Sequence, residues 1–498
     1  MSAPDVASSL SRVPTAEVTQ IRAVLDVAGY SEAHILQLLG VEELPTPRQR
    51  RQSLPLYLWR TREETPLTTL VRLFFLQQSI PLASVRQAVE PMSVQQWETA
   101  GLVYLTGDMV EATVELCPYR DLLAAADWSR PLQDPDPYQV MGITASSRTL
   151  AQMAIRRPIP QTLDLGTGCG LLAFLAARYS EHVIAVDRNP HALLMARFNA
   201  QLNGLTNIEW REGDWFTPLS NQQFALIVCN PPFVIAPNQV AVHSHSGLPL
   251  DQLCQTLVRT APLFLQEGGY CQLLCNWVQI AGQDWRERLA SWIEGIACDV
   301  WVLHAHSEDI AEYALRRINE TTESAEQATS RFREWMDYYT HEKIEAVGFG
   351  VITLRRSSRS MHWFRCDRLP EVKGLCGEAI EQGFRLHDFL DSHQNDQELL
   401  STRVSHAANL QWEQHQQLVA RGWVPNMSRL QLTSGLLYSG NADANVVDFV
   451  SRCKGDLRLR EHLKRFAKAA GQTPDRLAPG FLKVVRRLIE LGCLLPMQ

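Results

Sequence analysis

The sequence predicts an α/β protein: a doubly wound, mostly parallel sheet set between two mainly helical flanking segments. Three observations predict it. Across residues ~116–356 short apolar runs alternate with helical patterns, the signature of strand–helix repeats. One of those runs feeds directly into a glycine-rich turn that opens a helix. Before residue ~115 and after ~356 the alternation is replaced by mainly helical periodicity.

In chain order, residues 1–115 carry helical patterns at Ala16–Leu39, Leu67–Leu76, Val85–Val89 and Val94–Ala100. Two short strands then meet at a Gly107-Asp108 turn. Helices followed by a hairpin predict a small winged-helix-like unit. The middle segment, 116–356, predicts strands at Thr162–Leu165, His182–Asp187, Asn207–Arg211, Phe224–Cys229, Tyr270–Asn276, Asp299–His304 and Phe349–Leu354. The intervening helices are expected at Leu171–Arg178, Pro190–Asn203, Leu250–Leu265, Asp284–Ile293 and Ser307–Tyr339. Pro190–Asn203 has the clearest punctuation: Asn189 to cap it, Pro190 in its first turn and Gly204 to stop it. The remainder, 357–498, is expected to form a helical accessory domain. Its end, 451–498, holds eleven Lys and Arg against four Asp and Glu, with apolar residues at helical spacing (Leu459, Leu463, Phe466; Phe481, Val485, Leu488). A folded basic unit is expected there, suited to contact with nucleic acid.

The 498 residues are 45% hydrophobic and 20% charged, enough to bury large cores and too apolar for a disordered chain. A net charge of −7 argues against a uniformly basic nucleic-acid coat. No run of 18 apolar residues occurs, so no membrane-spanning helix is expected. The opening Met1-Ser-Ala-Pro-Asp-Val lacks the basic and apolar regions of a signal peptide, and a cytoplasmic location is expected. The 11 cysteines are scattered without a C-x-x-C pair and read as buried thiols. His243, His245, His304 and His306 form two H-x-H pairs without acidic or thiol partners at useful spacing, so no metal site is expected.

The chemistry concentrates at the ends of four predicted strands. Thr162-Leu-Asp-Leu-Gly-Thr-Gly-Cys-Gly-Leu-Leu places Asp164 at a strand end, then Gly166, Thr167, Gly168 and Gly170 in a tight loop before a helix. Glycines let the chain turn sharply and let a ligand approach bare backbone. The spacing G-x-G-x-G differs from the G-x-G-x-x-G of dinucleotide binders. Asp187 ends the next strand, followed by Arg188; a carboxylate there can accept both hydroxyls of a ribose. Asp214 follows the third strand and can accept from an adenine amine, with Trp215 stacking on or near the ring. The fourth strand ends in Asn230-Pro231-Pro232-Phe233. Two prolines stiffen the turn and remove two N–H groups, leaving the Asn230 side chain and the Pro231 carbonyl as rigid acceptors. Phe233 adds an aromatic face. Such a site suits a planar NH₂ group, either an amide or a nucleobase amine, held with its nitrogen lone pair toward an electrophilic methyl group.

With these motifs in order, residues ~140–356 resemble class I S-adenosylmethionine-dependent methyltransferases of the "methyltransferase small" group, which bear an N-P-P-[YF] motif. That group includes release-factor glutamine N5-methyltransferases and ribosomal-RNA N-methyltransferases. The run Asn230-Pro-Pro-Phe-Val-Ile-Ala-Pro looks closer to the glutamine branch. The resemblance implies a seven-stranded Rossmann-like methyltransferase sheet. It implies S-adenosyl-L-methionine held by Asp164, Gly166, Thr167, Gly168, Gly170, Asp187, Arg188, Asp214, Trp215 and Asn230, and a target amine held by Asn230, Pro231, Pro232 and Phe233. The acceptor it implies is a protein, a release factor or ribosomal protein, with rRNA as the alternative. The glutamine branch carries R-P-[DE]-T-E before its glycine loop; this chain reads Ser146-Ser-Arg-Thr-Leu, keeping a threonine, Thr149, and lacking the acids. A non-catalytic module on the same fold is disfavoured, because Asp187, Asn230, Pro231 and Pro232 are all present. The loop Val242–Leu250, directly after the target-binding motif, is expected to act as a substrate lid.

Overall fold

The computed structural model describes residues 9–128, 138–237, 248–321, 325–420 and 422–497. They form two compact units. The first takes the chain up to Ala151 together with Arg157–Arg368; the second takes Gln152–Arg156 and the chain from Leu369 onward.

The first unit is built on strands β1 (Ile159–Leu165), β2 (Ser180–Asp187), β3 (Ile208–Glu212), β4 (Phe224–Cys229), β5 (Leu265–Ile280), β6 (Cys298–Asp309), β7 (Ile344–Arg356) and β8 (Phe364–Arg368). They lie in the order β3-β2-β1-β4-β5-β7-β6-β8. The first five are parallel to one another, β7 runs antiparallel between β5 and β6, and β8 is parallel to β6. Connections run outward in opposite directions from β1 and β4. Such a reversal leaves a crevice at the carboxyl ends of the strands, where open α/β sheets bind ligands. Leu163, Ile184, Ile227, Leu273 and Val302 are fully buried at the sheet's centre.

Helices α1 (Leu171–Ala176), α2 (Pro190–Leu202), α3 (Gln252–Thr260), α4 (Trp285–Trp292), α5 (Ile310–Thr321) and α6 (Ala325–His341) connect the strands. The Asn189 side chain accepts from His191 N at 3.0 Å, capping α2 as its sequence predicts. Two expectations need correction. The sheet has eight strands rather than seven, because Phe-Arg-Cys-Asp-Arg at 364–368 pairs with β6; its mixed, half-buried residues give no apolar run to read. The single helix expected over Ser307–Tyr339 is the end of β6 followed by α5 and α6. Asp309 accepts from Ala311 N and Glu312 N, which starts α5 where the strand stops.

The N-terminal helices and a three-stranded sheet (Ile80–Pro81, Met109–Ala112, Val103–Thr106) belong to the same compact unit. A hairpin, Glu115–Tyr119 with Leu122–Ala126, joins them to the central sheet. Its Ala125 exchanges both backbone groups with the buried Asn199 side chain of α2, at 2.7 and 2.9 Å.

The second unit is α+β, not helical throughout. Leu410–Val419, Gly422–Leu432 and Ser439–Asn441 form one three-stranded sheet; Lys454–Arg458, Arg403–His406 and Leu494–Pro496 form another. The Gln-rich stretch 410–419 has polar residues on both faces, so no alternation marks it as a strand. Leu459, Leu463, Leu482, Val485 and Leu488 enter this unit's core, so the basic end is an integral part of a fold and not a detachable tail.

Candidate active site

The glycine loop leaves β1 with Gly166, Gly168 and Gly170 all at positive φ, 71°, 54° and 98°. At Gly170 the requirement is also steric, since a Cβ there would lie 2.2 Å from the Phe174 ring. At Gly168 a Cβ would meet nothing within 4 Å, so bare backbone faces open space.

Asp164 sits beneath this loop. It is fully buried, and one carboxylate oxygen accepts from Thr167 Oγ1 at 2.7 Å and Ala173 N at 2.9 Å. Asp164 and Thr167 thus brace the loop against the start of α1, and the other Asp164 oxygen, also buried, has no partner among the described residues. Burial raises the Asp164 pKa to about 7 against these two hydrogen bonds.

Asp187 closes β2 at the loop's side. One oxygen accepts from Gly168 N and the other from Asn189 N, each at 2.9 Å. Each oxygen keeps a lone pair for a further donor. Burial raises this pKa, opposed by the two N–H groups and by the charge of exposed Arg188. Asp214 is exposed after β3, its N–H donating to Thr217 Oγ1 at 3.1 Å. Trp215 next to it adopts φ 50°, and its ring edge lies 3.7 Å from where a Gly166 Cβ would stand. The indole thus flanks the glycine loop.

Asn230 follows β4 at the same edge of the sheet. Its Nδ2 donates to Ser146 Oγ at 3.4 Å, while its buried Oδ1 has no partner among the described residues. Pro231 is buried, Pro232 half-buried, and Phe233 sets its ring edge-on to Phe349 at 5.9 Å. The segment beyond is held by two tyrosines: Ile235 N donates to the Tyr313 hydroxyl at 3.2 Å, and the Tyr339 hydroxyl donates to Ile235 O at 2.8 Å.

The sequence singled out Thr149, but its hydroxyl donates to Ala145 O; Ser146 is the residue brought to Asn230. Asn199 was missed as well. It donates to Cys169 O inside the glycine loop at 2.9 Å, and a lone Asn on the apolar face of α2 was the available signal. His304 and His306 lie at the end of β6, beyond Phe349. His243, His245 and most of the Val242–Leu250 loop lie outside the described residues.

A family model described as "Methyltransferase small domain" matches residues 135–281. Two others, each described as a domain of unknown function (DUF7059 and DUF7782), match 27–113 and 381–496. The release factor glutamine methyltransferase of Salmonella typhimurium is 30% identical over 230 residues, covering 43% of this chain and 72% of that protein. The chain belongs to this methyltransferase family. The Xylella fastidiosa relative of the same name is 32% identical over 154 residues, 27% of this chain. The chain spans about half of that relative's length, 55%. A putative methyltransferase of known structure from Bacillus halodurans has 16% identity and a TM-score of 0.29, covering 42% of this chain and 98% of that one.

S-adenosylmethionine is the methyl donor of this methyltransferase family, and the residues present fit it. The backbone at Gly168 opens onto free space, the Asp187 carboxylate stands 2.9 Å from it, and the Trp215 indole borders Gly166.

Asp164 gives the protein a pH signature. An acid with a raised folded pKa contributes stability below its ordinary value of 3.8, and loses it as pH rises through about 7. Its contribution to the melting temperature should therefore be lost between about pH 4 and about pH 7 and level off above that. Asp164→Asn keeps the acceptor without the charge and should flatten that fall by roughly 2–4 °C. Raised Asp187 supplies the same sign and is left in place. Calorimetric melts of both proteins across this range check it; parallel curves would contradict it.

Proposed function

We propose that this protein transfers a methyl group from S-adenosylmethionine to a planar NH₂ nitrogen, and that its acceptor is the side-chain amide of a protein glutamine. The observation that carries the reading is the buried, unpartnered Asn230 Oδ1 at the end of β4, on the sheet edge that also bears the glycine loop and Asp187. A buried acceptor without a donor is costly unless a ligand supplies one. The relatives' names supply glutamine as the first choice of acceptor.

When bound, S-adenosylmethionine supplies a sulfonium-activated, electrophilic methyl group. Asp187 would hold ribose hydroxyls, Trp215 and Asp214 would border the adenine, and the glycine loop would admit the methionine part. Asn230 Oδ1 and the Pro231 carbonyl accept the two amide hydrogens, and Phe233 packs along the amide plane. Ser146 fixes which way the Asn230 amide faces, because its hydroxyl takes the Nδ2 hydrogen. With both hydrogens held, the nitrogen lone pair points at the methyl carbon. The nitrogen would take the methyl group from sulfur, which would leave as the neutral thioether, and would release one of its two held protons to solvent. Orientation carries most of the acceleration. Release factors and rRNA purified from cells lacking this protein, compared by mass spectrometry with those of the parent, test the acceptor. Loss of a methyl from a release-factor glutamine is expected; loss from rRNA alone would overturn the glutamine assignment.

A nucleobase amine is the second reading. It is favoured by the helix Leu459–Ala469, whose Arg460, Lys464, Arg465 and Lys468 are all exposed. Because their neighbours form the unit's core, point changes are the appropriate probe. If RNA is the acceptor, Lys464→Glu with Arg465→Glu should weaken RNA binding and lower the slope of log K against log salt by about 2. An unchanged slope removes this reading.

A further inference from the structure

The carboxyl edge of the sheet continues past the target motif into a cleft of about 400 Å³. Trp285, Arg286, His304, His306, Cys366 and Arg368 are among its lining residues. Two of them, Cys366 and Arg368, come from β8, the strand that the sequence did not predict. Two aromatic contacts link a residue of the cleft to the proposed acceptor motif. Phe233 meets Phe349 at 5.9 Å, and Phe349 meets His306 at 5.5 Å. Strand pairing places Arg368 opposite His304 and Phe349 opposite His306.

The charge of the cleft is cationic. Arg286 and Arg368 are exposed at its rim. The one lining carboxylate, Asp367, is already engaged by Arg365 and by Trp301 Nε1. Asp284 approaches Arg286 from outside the lining at 3.8 Å. The aromatic surface is also largely occupied. Trp285 stacks on Trp277 at 5.4 Å, contacts His304 at 4.9 Å and carries the Arg286 guanidinium 4.5 Å from its ring centre. A nucleobase would compete with these contacts, whereas a carboxylate needs only the cations and the hydrogen-bond donors.

We infer that this cleft binds an acidic side chain of the acceptor protein and so selects which glutamine is methylated. The inference rests on the glutamine reading above. It also fixes a distance. From β4 to β6 are three strand spacings, about 14 Å at ~4.8 Å each. An extended peptide covers that in about four residues. The acidic residue therefore lies about four positions from the target glutamine.

The test uses the full chain and three fluorescein-labelled probes. The first is a peptide with a central glutamine and glutamates four residues to either side. The second is the same peptide with those glutamates changed to glutamine, and the third is a single-stranded hexaribonucleotide. Anisotropy should show the acidic peptide binding at least tenfold tighter than the neutral one. Arg286→Gln with Arg368→Gln should remove that advantage, on the scale of lost charge-assisted contacts, while S-adenosylmethionine affinity stays unchanged. Equal binding of the two peptides, or an advantage that survives in the double variant, overturns the inference. So does arginine-dependent binding of the hexanucleotide without the acidic peptide. Methylation of the bound peptide is read separately. Arginine-dependent binding without glutamine methylation leaves the cleft assigned and rejects the glutamine reading; methylation without acidic preference does the reverse.

Discussion

Asn230→Ala is expected to lower the methylation rate by roughly 10²-fold or more, the scale on which a reacting atom loses its positioning. Cofactor affinity should hardly change, because the side chain's one partner among the described residues is Ser146 Oγ and the glycine loop, Asp187 and Trp215 are held by other contacts. Asn230→Asp is the informative companion. It keeps an acceptor where Oδ1 stands, and its second oxygen can accept from the Ser146 hydroxyl. It should retain more activity than the alanine variant. Single-turnover rates with calorimetric S-adenosylmethionine affinities check both. An alanine variant as fast as the parent would reduce Asn230-Pro-Pro-Phe to a strand terminator.

Asp187→Ala should act on the other half of the reaction. Its carboxylate is expected to hold ribose hydroxyls, and it also holds Gly168 N and Asn189 N at 2.9 Å. Removing it loses charge-assisted bonds to the cofactor and loosens the loop together. Affinity for S-adenosylmethionine should fall by about 1.5–3 kcal/mol, roughly 10- to 150-fold. Asp187→Asn keeps one acceptor oxygen and should fall between. Calorimetry reads the difference directly; equal affinity in all three proteins would place the ribose elsewhere.

The central sheet was legible because each of its strands β1, β2 and β4 is an apolar run ending in a residue of distinctive chemistry: Asp164 with the glycines, Asp187, then Asn230-Pro-Pro-Phe. Glycine at positive φ and proline after asparagine are written in the sequence as residue types, so the loop and the turn could be placed before the fold was known. What escaped was whatever depends on distant partners. Asp164 reads as a strand-end acid, and its hold on Thr167 and Ala173 beneath the loop depends on the fold. Ser146 lies 84 positions before Asn230 and carries no local signal. Strand β8 is polar enough to pass for a loop until β6 is placed beside it. In the second unit, apolar spacing marked the helices around Leu463 and Val485, but hairpin 410–432 gave no alternation to follow.

The most direct test of the central claim is the position of the transferred methyl. The purified protein is incubated with S-adenosylmethionine carrying an isotopically labelled methyl group and a glutamine-bearing release factor, and the label is located by tandem mass spectrometry. The account predicts the label on the side-chain amide nitrogen of a glutamine, and its loss with Asn230→Ala. Label on an oxygen or carbon atom, or undiminished label in the Asn230→Ala protein, would contradict it.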